Sequence, residues 1–67
     1  MGGKMREKVK VLLSHWTEHN AEHAREFLKW AERVPEIAEE LKRAAQHMEE
    51  ASRTLEVALR KLTQEEI

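Results

Sequence analysis

The residues with the most evident capacity for chemistry lie in one short stretch. His15, His19 and His23 are four residues apart, and a glutamate follows each histidine three residues later. Residues four apart lie one above the other on a helix, so an H-x-x-x-H pair can place two imidazoles on one metal ion. His15 and His23 are about 12 Å apart along a helix axis and cannot easily share an ion. The spacing predicts one site that uses two histidines and further ligands, or two adjacent sites.

A fourth histidine lies in the other half of the chain. His47 and Glu50 repeat the H-x-x-E spacing. In an antiparallel hairpin, residues whose numbers sum to roughly 69 lie at the same height, which places His47 near His23 and Glu50 near His19. We expect a site for a divalent transition metal, namely zinc, nickel, cobalt or copper. The expected ligands are His15, His19, His23, His47 and Glu50, with Glu26 as the alternative carboxylate.

Each histidine also has a simpler interpretation. His15 and His19 lie at the edge of an apolar helix face, where a solvated or glutamate-paired imidazole is common. His23 lies in the middle of that face, as a hydrogen-bonded core histidine would, and His47 could point to solvent. Two other functions therefore stay open. One is a structural or protein-interaction helical module without metal, and the other is a four-helix bundle that binds haem through axial imidazoles such as His23.

The sequence favours binding over catalysis. The segments that begin at His15 and His19 both read H-x-x-E-H, which is the inverted zinc-protease pattern. That chemistry also needs a further ligand and a substrate cleft, which a short hairpin does not provide. The di-metal carboxylate bundles use the reverse order, E-x-x-H, and no Ser-His-acid triad or Gly-rich phosphate loop is present. We expect a protein of metal storage, delivery or sensing, and no enzyme.

The elements that position these histidines follow from the helix breakers. The only glycines are Gly2 and Gly3, and the only proline is Pro35, near the midpoint. Proline is favoured in the first turn of a helix and disfavours helix in the residue before it. The pattern predicts one all-α domain over residues 1–67, an antiparallel hairpin with helices over about 5–33 and 35–63 and a turn at 34–35. One long helix kinked at Pro35 is the alternative.

Helical periodicity predicts an apolar face on each helix. The first face consists of Met5, Val9, Leu12, Trp16, His23, Phe27, Trp30 and Val34. The second, with smaller side chains, consists of Ile37, Leu41, Ala44, Met48, Ala51, Ser52, Leu55, Leu59 and Leu62. We expect the two faces to meet, with large side chains against small ones. Trp16 would then lie near Ala51 and Ser52. Trp30 would lie near Ala38.

Length and charge limit the partners. A chain of 67 residues without cysteine has no disulfides, and two helices alone bury little surface. We therefore expect self-association into a homodimeric four-helix bundle or a larger assembly. The 12 basic and 13 acidic residues nearly cancel, which gives no reason to expect nucleic acid or a membrane as partner, whereas an unidentified protein partner stays open.

Two compositional features complete these expectations. No apolar run is long enough for a signal peptide or a membrane span, so we expect a cytoplasmic location. The chain is rich in Glu, Lys and Arg and poor in Asn and Gln, a composition typical of heat-adapted or designed proteins.

The histidine segment also resembles a known group of proteins. The run H-W-T-E-H-N-A-E-H-A-R-E-F from His15 to Phe27, followed by Trp30 and Ala31, is similar to a family of short, histidine-rich, uncharacterised prokaryotic and archaeal proteins. They share an H-W-x-E-H-N-x-E-H-A-x-E-F-like segment before a helix rich in Ala, Glu and Leu. The resemblance covers most of the chain and implies a helical hairpin, with hints of metal handling and no defined activity. Pro35 departs from the longer, Gly-containing turn of that pattern.

Overall fold

The protein is an all-α hairpin. A computed structural model describes residues 3–64, so residues 1, 2 and 65–67 of the expected domain lie outside the described residues. Helix α1 spans Gly3–Arg33, a short 3-10 helix spans Pro35–Ile37, and helix α2 spans Ala38–Gln64. The two long helices lie side by side in a rod of 51 × 15 × 12 Å. The predicted hairpin is confirmed, and the alternative of one kinked helix is wrong.

The chain reverses direction at Val34 and Pro35. Val34 has φ −127° and ψ 81°, outside the helical region, because the ring of a following proline disfavours helix. Its N–H still donates to the carbonyl of Trp30 at 2.9 Å, and the N–H of Ile37 donates to the carbonyl of Val34 at 3.2 Å. Pro35 stands at the start of the 3-10 helix, where a missing N–H costs no hydrogen bond. The turn therefore needs no glycine.

The two helices meet along a row of small side chains. Burial repeats every seven residues on both helices, which is the period of a coiled coil. Residues at equal height, such as Ala24 and Ala45, are both small, and small side chains at a contact allow helix axes to approach closely. We call this the small row: it consists of Thr17, Ala24 and Ala31 on α1 and Ala38, Ala45 and Ser52 on α2.

A second row of larger side chains lies three residues further along each heptad. It consists of Leu13, Asn20 and Phe27 on α1, Val34 in the turn, and Leu41, Met48, Leu55 and Leu62 on α2. Leu13 is buried together with the alanines of the small row at positions 24, 31 and 45. The other members of the larger row are only half-buried. The hairpin thus covers these side chains from one side and leaves the other side open.

The expectation that the aromatic stripe of α1 packs against α2 is wrong for its two tryptophans, whereas Phe27 is half-buried. Trp16 and Trp30 are 43% and 45% exposed. They lie roughly 70–110° around α1 from the buried line of Leu13, Ala24 and Ala31. An indole is too large for a contact built on alanines, so α1 turns its small side chains toward α2 and keeps both tryptophans outside.

The face predicted for α2 is largely correct. Most of its members are half-buried against α1, and the two exceptions, Ile37 and Ala51, are exposed. Ala45 is the most buried residue of α2, and Ala58 is half-buried.

Within residues 3–64, neither helix has an apolar stretch that could cross a membrane.

Candidate metal site

The three histidines of α1 form a ladder of neighbouring rings. The ring centroids of His15 and His19 are 5.8 Å apart with an interplanar angle of 71°, and those of His19 and His23 are 4.6 Å apart at 36°. The ladder continues to Phe27, whose ring stacks on His23 with centroids 6.0 Å apart. All three histidines are exposed. The helix therefore brings these three predicted ligands together, and Phe27, predicted on the same face as His23, lies beside them.

The ring separations suit two imidazoles on one ion. Zinc–nitrogen bonds of about 2.0–2.1 Å at a tetrahedral angle hold two imidazole centroids about 5 Å apart. The observed separations of 4.6 and 5.8 Å lie on either side of this value. Because the side chains are exposed, modest rotation about their side-chain bonds can aim one nitrogen of each ring at a common point. His19 is a member of both pairs, so the two positions exclude each other.

The ladder winds around α1 as it rises. His15 lies nearly opposite the buried row, and His23 lies roughly 90° from it, because each step of four residues turns the ladder by about 40°. His15 therefore faces open solvent, whereas His23 borders the aromatic side of the helix at Phe27. The simpler interpretation of His23 as a core histidine does not hold, since this residue is exposed.

His47 and Glu50 form a separate pair on α2. Nδ1 of His47 lies 3.3 Å from Oε1 of Glu50, and both side chains are exposed. His47 is two residues after the buried Ala45, which turns it about 160° away from the contact with α1. Equal height along the hairpin is therefore not enough to bring His47 to His23.

One chain thus holds its predicted ligands in two sets. Among residues 3–64, no group of three or more histidines and glutamates is close enough to hold a metal ion. The ladder offers two imidazoles at a time, and the pair on α2 offers one imidazole and one carboxylate. A metal at either place would complete its coordination with water or with groups from outside the chain.

An open groove of about 550 Å³ runs between the helices on the side away from the tryptophans. Five of its ten lining side chains are charged, with both signs present, and the others are small, polar or apolar. Its lining consists of Thr17, Glu18, Ala21, Ala24, Arg25, Leu28, Glu49, Ser52, Arg53 and Glu56. No histidine lines this groove, so it is neither part of the ladder nor a pocket for haem with axial imidazoles.

A family model matches most of the chain. The chain belongs to the family described as Domain of unknown function (DUF8180), whose model matches residues 9–62. The matched region includes the whole ladder, the turn and most of both helices. The expected membership of an uncharacterised family is thereby confirmed. Comparison with curated proteins and with solved structures finds no significant match.

Proposed function

We propose that this protein binds a divalent transition metal through the histidine pairs of α1, in a role of storage, delivery or sensing. The observation that carries the proposal is the 4.6 Å separation of the exposed His19 and His23 rings. The chain has no cysteine, so nitrogen is its principal donor atom for such metals. Imidazole donors suit zinc, nickel, cobalt and copper. The affinity of the site for these ions should follow the Irving–Williams order, with copper bound most tightly.

The exposure of the ladder suits exchange more than permanent retention. Structural zinc sites are closed by four protein ligands, whereas a pair of imidazoles leaves positions for water or an incoming ligand. An ion held by His19 and His23 can also move to His15 and His19, because His19 serves both pairs. Such an open site supports delivery or sensing. We also propose that the histidine segment is common to prokaryotic members of the family.

His47 and Glu50 form the weaker donor set in this proposal. Their pair provides one imidazole and one carboxylate on the far side of α2. In a single chain these two residues lie outside the ladder and contribute no ligand to it. Substitution of His47 is therefore a suitable control for the loss of one exposed histidine.

The test is a calorimetric titration of zinc and of nickel into four variants. His19→Ala removes both pairs, whereas His15→Ala and His23→Ala each leave one pair intact. Loss of even an outer partner of a metal ligand costs about 10–100-fold in affinity, so His19→Ala should weaken binding at least tenfold. The two flanking variants should retain binding within a few fold of the original chain. His47→Ala should leave the affinity of the ladder unchanged.

Helix content measured by circular dichroism should stay constant in all four variants, because the substituted side chains are exposed and alanine favours helix. Equal affinity of His19→Ala and the original chain would contradict the proposal. So would the absence of binding to the original chain at saturating metal.

A further inference from the structure

One side of the hairpin is apolar and open. We call it the aromatic face: it consists of Val9, Trp16, Phe27 and Trp30 on α1 with Met48 and Leu55 on α2. Helical geometry places these residues on the flank away from the charged groove. Both tryptophans and Val9 are exposed, and the other three are half-buried. The groove side therefore carries more charge than the aromatic face, although Leu28 is exposed there as well.

The surface area of the chain is larger than a compact monomer of its mass would have. A folded monomer of 7.9 kDa exposes about 4,400 Å², and its Cα radius of gyration is about 11 Å for 67 residues. The observed values are 5539 Å² and 15.4 Å. The excess is about 1,100 Å², which exceeds the 800 Å² or so that each partner buries in a standard protein interface.

The buried core of a single hairpin is small. Within residues 3–64, the buried hydrophobic residues are Leu13 and three alanines. The large side chains that contribute most to hydrophobic stabilisation, such as Phe27, Met48 and Leu55, are only half-buried. Covering the aromatic face would complete their burial. The half-buried part of the core thus lies along the aromatic face.

We propose that a second copy of this chain docks on the aromatic face and gives a four-helix bundle. The face lies on both helices and follows the length of the rod, so two copies can bury the same patch against each other around a two-fold axis. The net charge of −1 means that two copies do not repel each other strongly. The excess area is large enough for the surface that one copy contributes to a dimer. This association needs no metal, although it brings the second copy beside His23, whose ring stacks on Phe27 at the edge of the aromatic face.

Charged side chains lie at the edge of this face and would form the polar rim of the interface. Nζ of Lys29 is 5.9 Å and Cζ of Arg33 is 5.4 Å from the Trp30 ring. Cations at this distance hold the indole by cation–π attraction and keep their charged ends in water. A polar rim around an apolar centre is the usual anatomy of a protein interface.

The test is sedimentation equilibrium of the full chain in the presence of EDTA, over a wide range of protein concentration. The double variant Trp16→Glu/Trp30→Glu places charges in the aromatic face. Leu28→Glu is the matched control, because Leu28 is 44% exposed and lines the charged groove. We expect the mass of two chains for the original protein and for the control. The double variant should lose the dimer, whether it stays folded or unfolds.

A second measurement covers the case in which the double variant does not fold. The midpoint temperature of unfolding of the original chain should rise with protein concentration, as it does when association stabilises the fold. A folded monomer at every concentration would overturn the proposal and point to a different protein partner. A double variant that remains a dimer would overturn it as well. EDTA keeps these outcomes independent of whether the ladder binds metal.

Discussion

The ring of His19 lies 4.6 Å from the ring of His23, measured between centroids, on the exposed surface of α1. This relationship needs no tertiary contact, because one helix fixes it through the four-residue spacing. The separation is close to the value of about 5 Å that a shared tetrahedral ion imposes. A chelating pair can therefore exist wherever α1 is helical, whatever the state of the rest of the chain.

Metal binding by the ladder should weaken steeply in mild acid. An imidazole binds metal only when it is neutral, so protons compete with the metal for each ring as the pH falls. Two imidazoles per ion make the loss steeper than one would. Zinc affinity measured by calorimetry should fall at least about tenfold between neutral pH and pH 5.5. An affinity that stays constant over this range would exclude imidazole as the donor.

Ser52→Ala should stabilise the protein. Oγ of Ser52 is buried without a hydrogen-bond partner, and Thr17, at the same height on α1, donates its hydroxyl to the carbonyl of Ser14 instead, at 2.9 Å. A buried polar atom without a partner costs about 1–3 kcal/mol. Thermal unfolding at fixed protein concentration should show the gain.

Ser14→Ala is the control for Ser52→Ala, since Ser14 is exposed on α1 and the same exchange there changes helix propensity alone. The gain at position 52 should exceed the gain at position 14. Equal gains would mean that the hydroxyl of Ser52 does not destabilise the fold.

Ala45→Leu should destabilise the hairpin. Ala45 is 2% exposed in the small row, opposite Ala24, where a larger side chain forces the helices apart. Overpacking of this kind costs about 1–3 kcal/mol. The free energy of unfolding from urea titration should fall by this amount. Gln46→Leu, at the next and exposed position, should leave it nearly unchanged, and similar stability of the two variants would contradict a close helix contact at Ala45.

The hairpin was predictable because the helix breaker and the helix formers of the sequence indicate the same structure. Pro35 is the only helix breaker between two long segments of strong helix formers, and the structure turns there. The face of α2 was predictable for a similar reason: its large apolar residues, such as Leu41 and Leu55, and its small ones, such as Ser52, lie on one stripe.

The face of α1 was not predictable from hydrophobicity. Two stripes compete on this helix, and the more apolar one, with Trp16 and Trp30, remains outside. The seven-residue repeat of small side chains determines which stripe of α1 contacts α2. Each small residue of α1 lies opposite a small residue of α2 at the same height: Thr17 opposite Ser52, Ala24 opposite Ala45, and Ala31 opposite Ala38. A prediction of the contact face from hydrophobicity alone favours large apolar residues over alanine. Small side chains nevertheless determine how closely two helices approach.

The ladder was predictable and its link to α2 was not. Spacing along one helix places the rings of His15, His19 and His23 together without further information. The position of His47 depends on how α2 is rotated about its own axis, and its separation from Ala45 by two residues turns it away from α1. Equal height along a hairpin fixes the position of a side chain only along the helix axis. A metal site also requires that the side chains of its ligands point toward the same place.

The most direct test of metal binding is native mass spectrometry of protein purified without a metal-affinity column and then supplied with zinc. We predict that the original chain retains zinc at one ion per chain and that His19→Ala, prepared in the same way, retains none. Zinc on both proteins in equal amount, or on neither, would contradict the assignment of the ladder as the metal site.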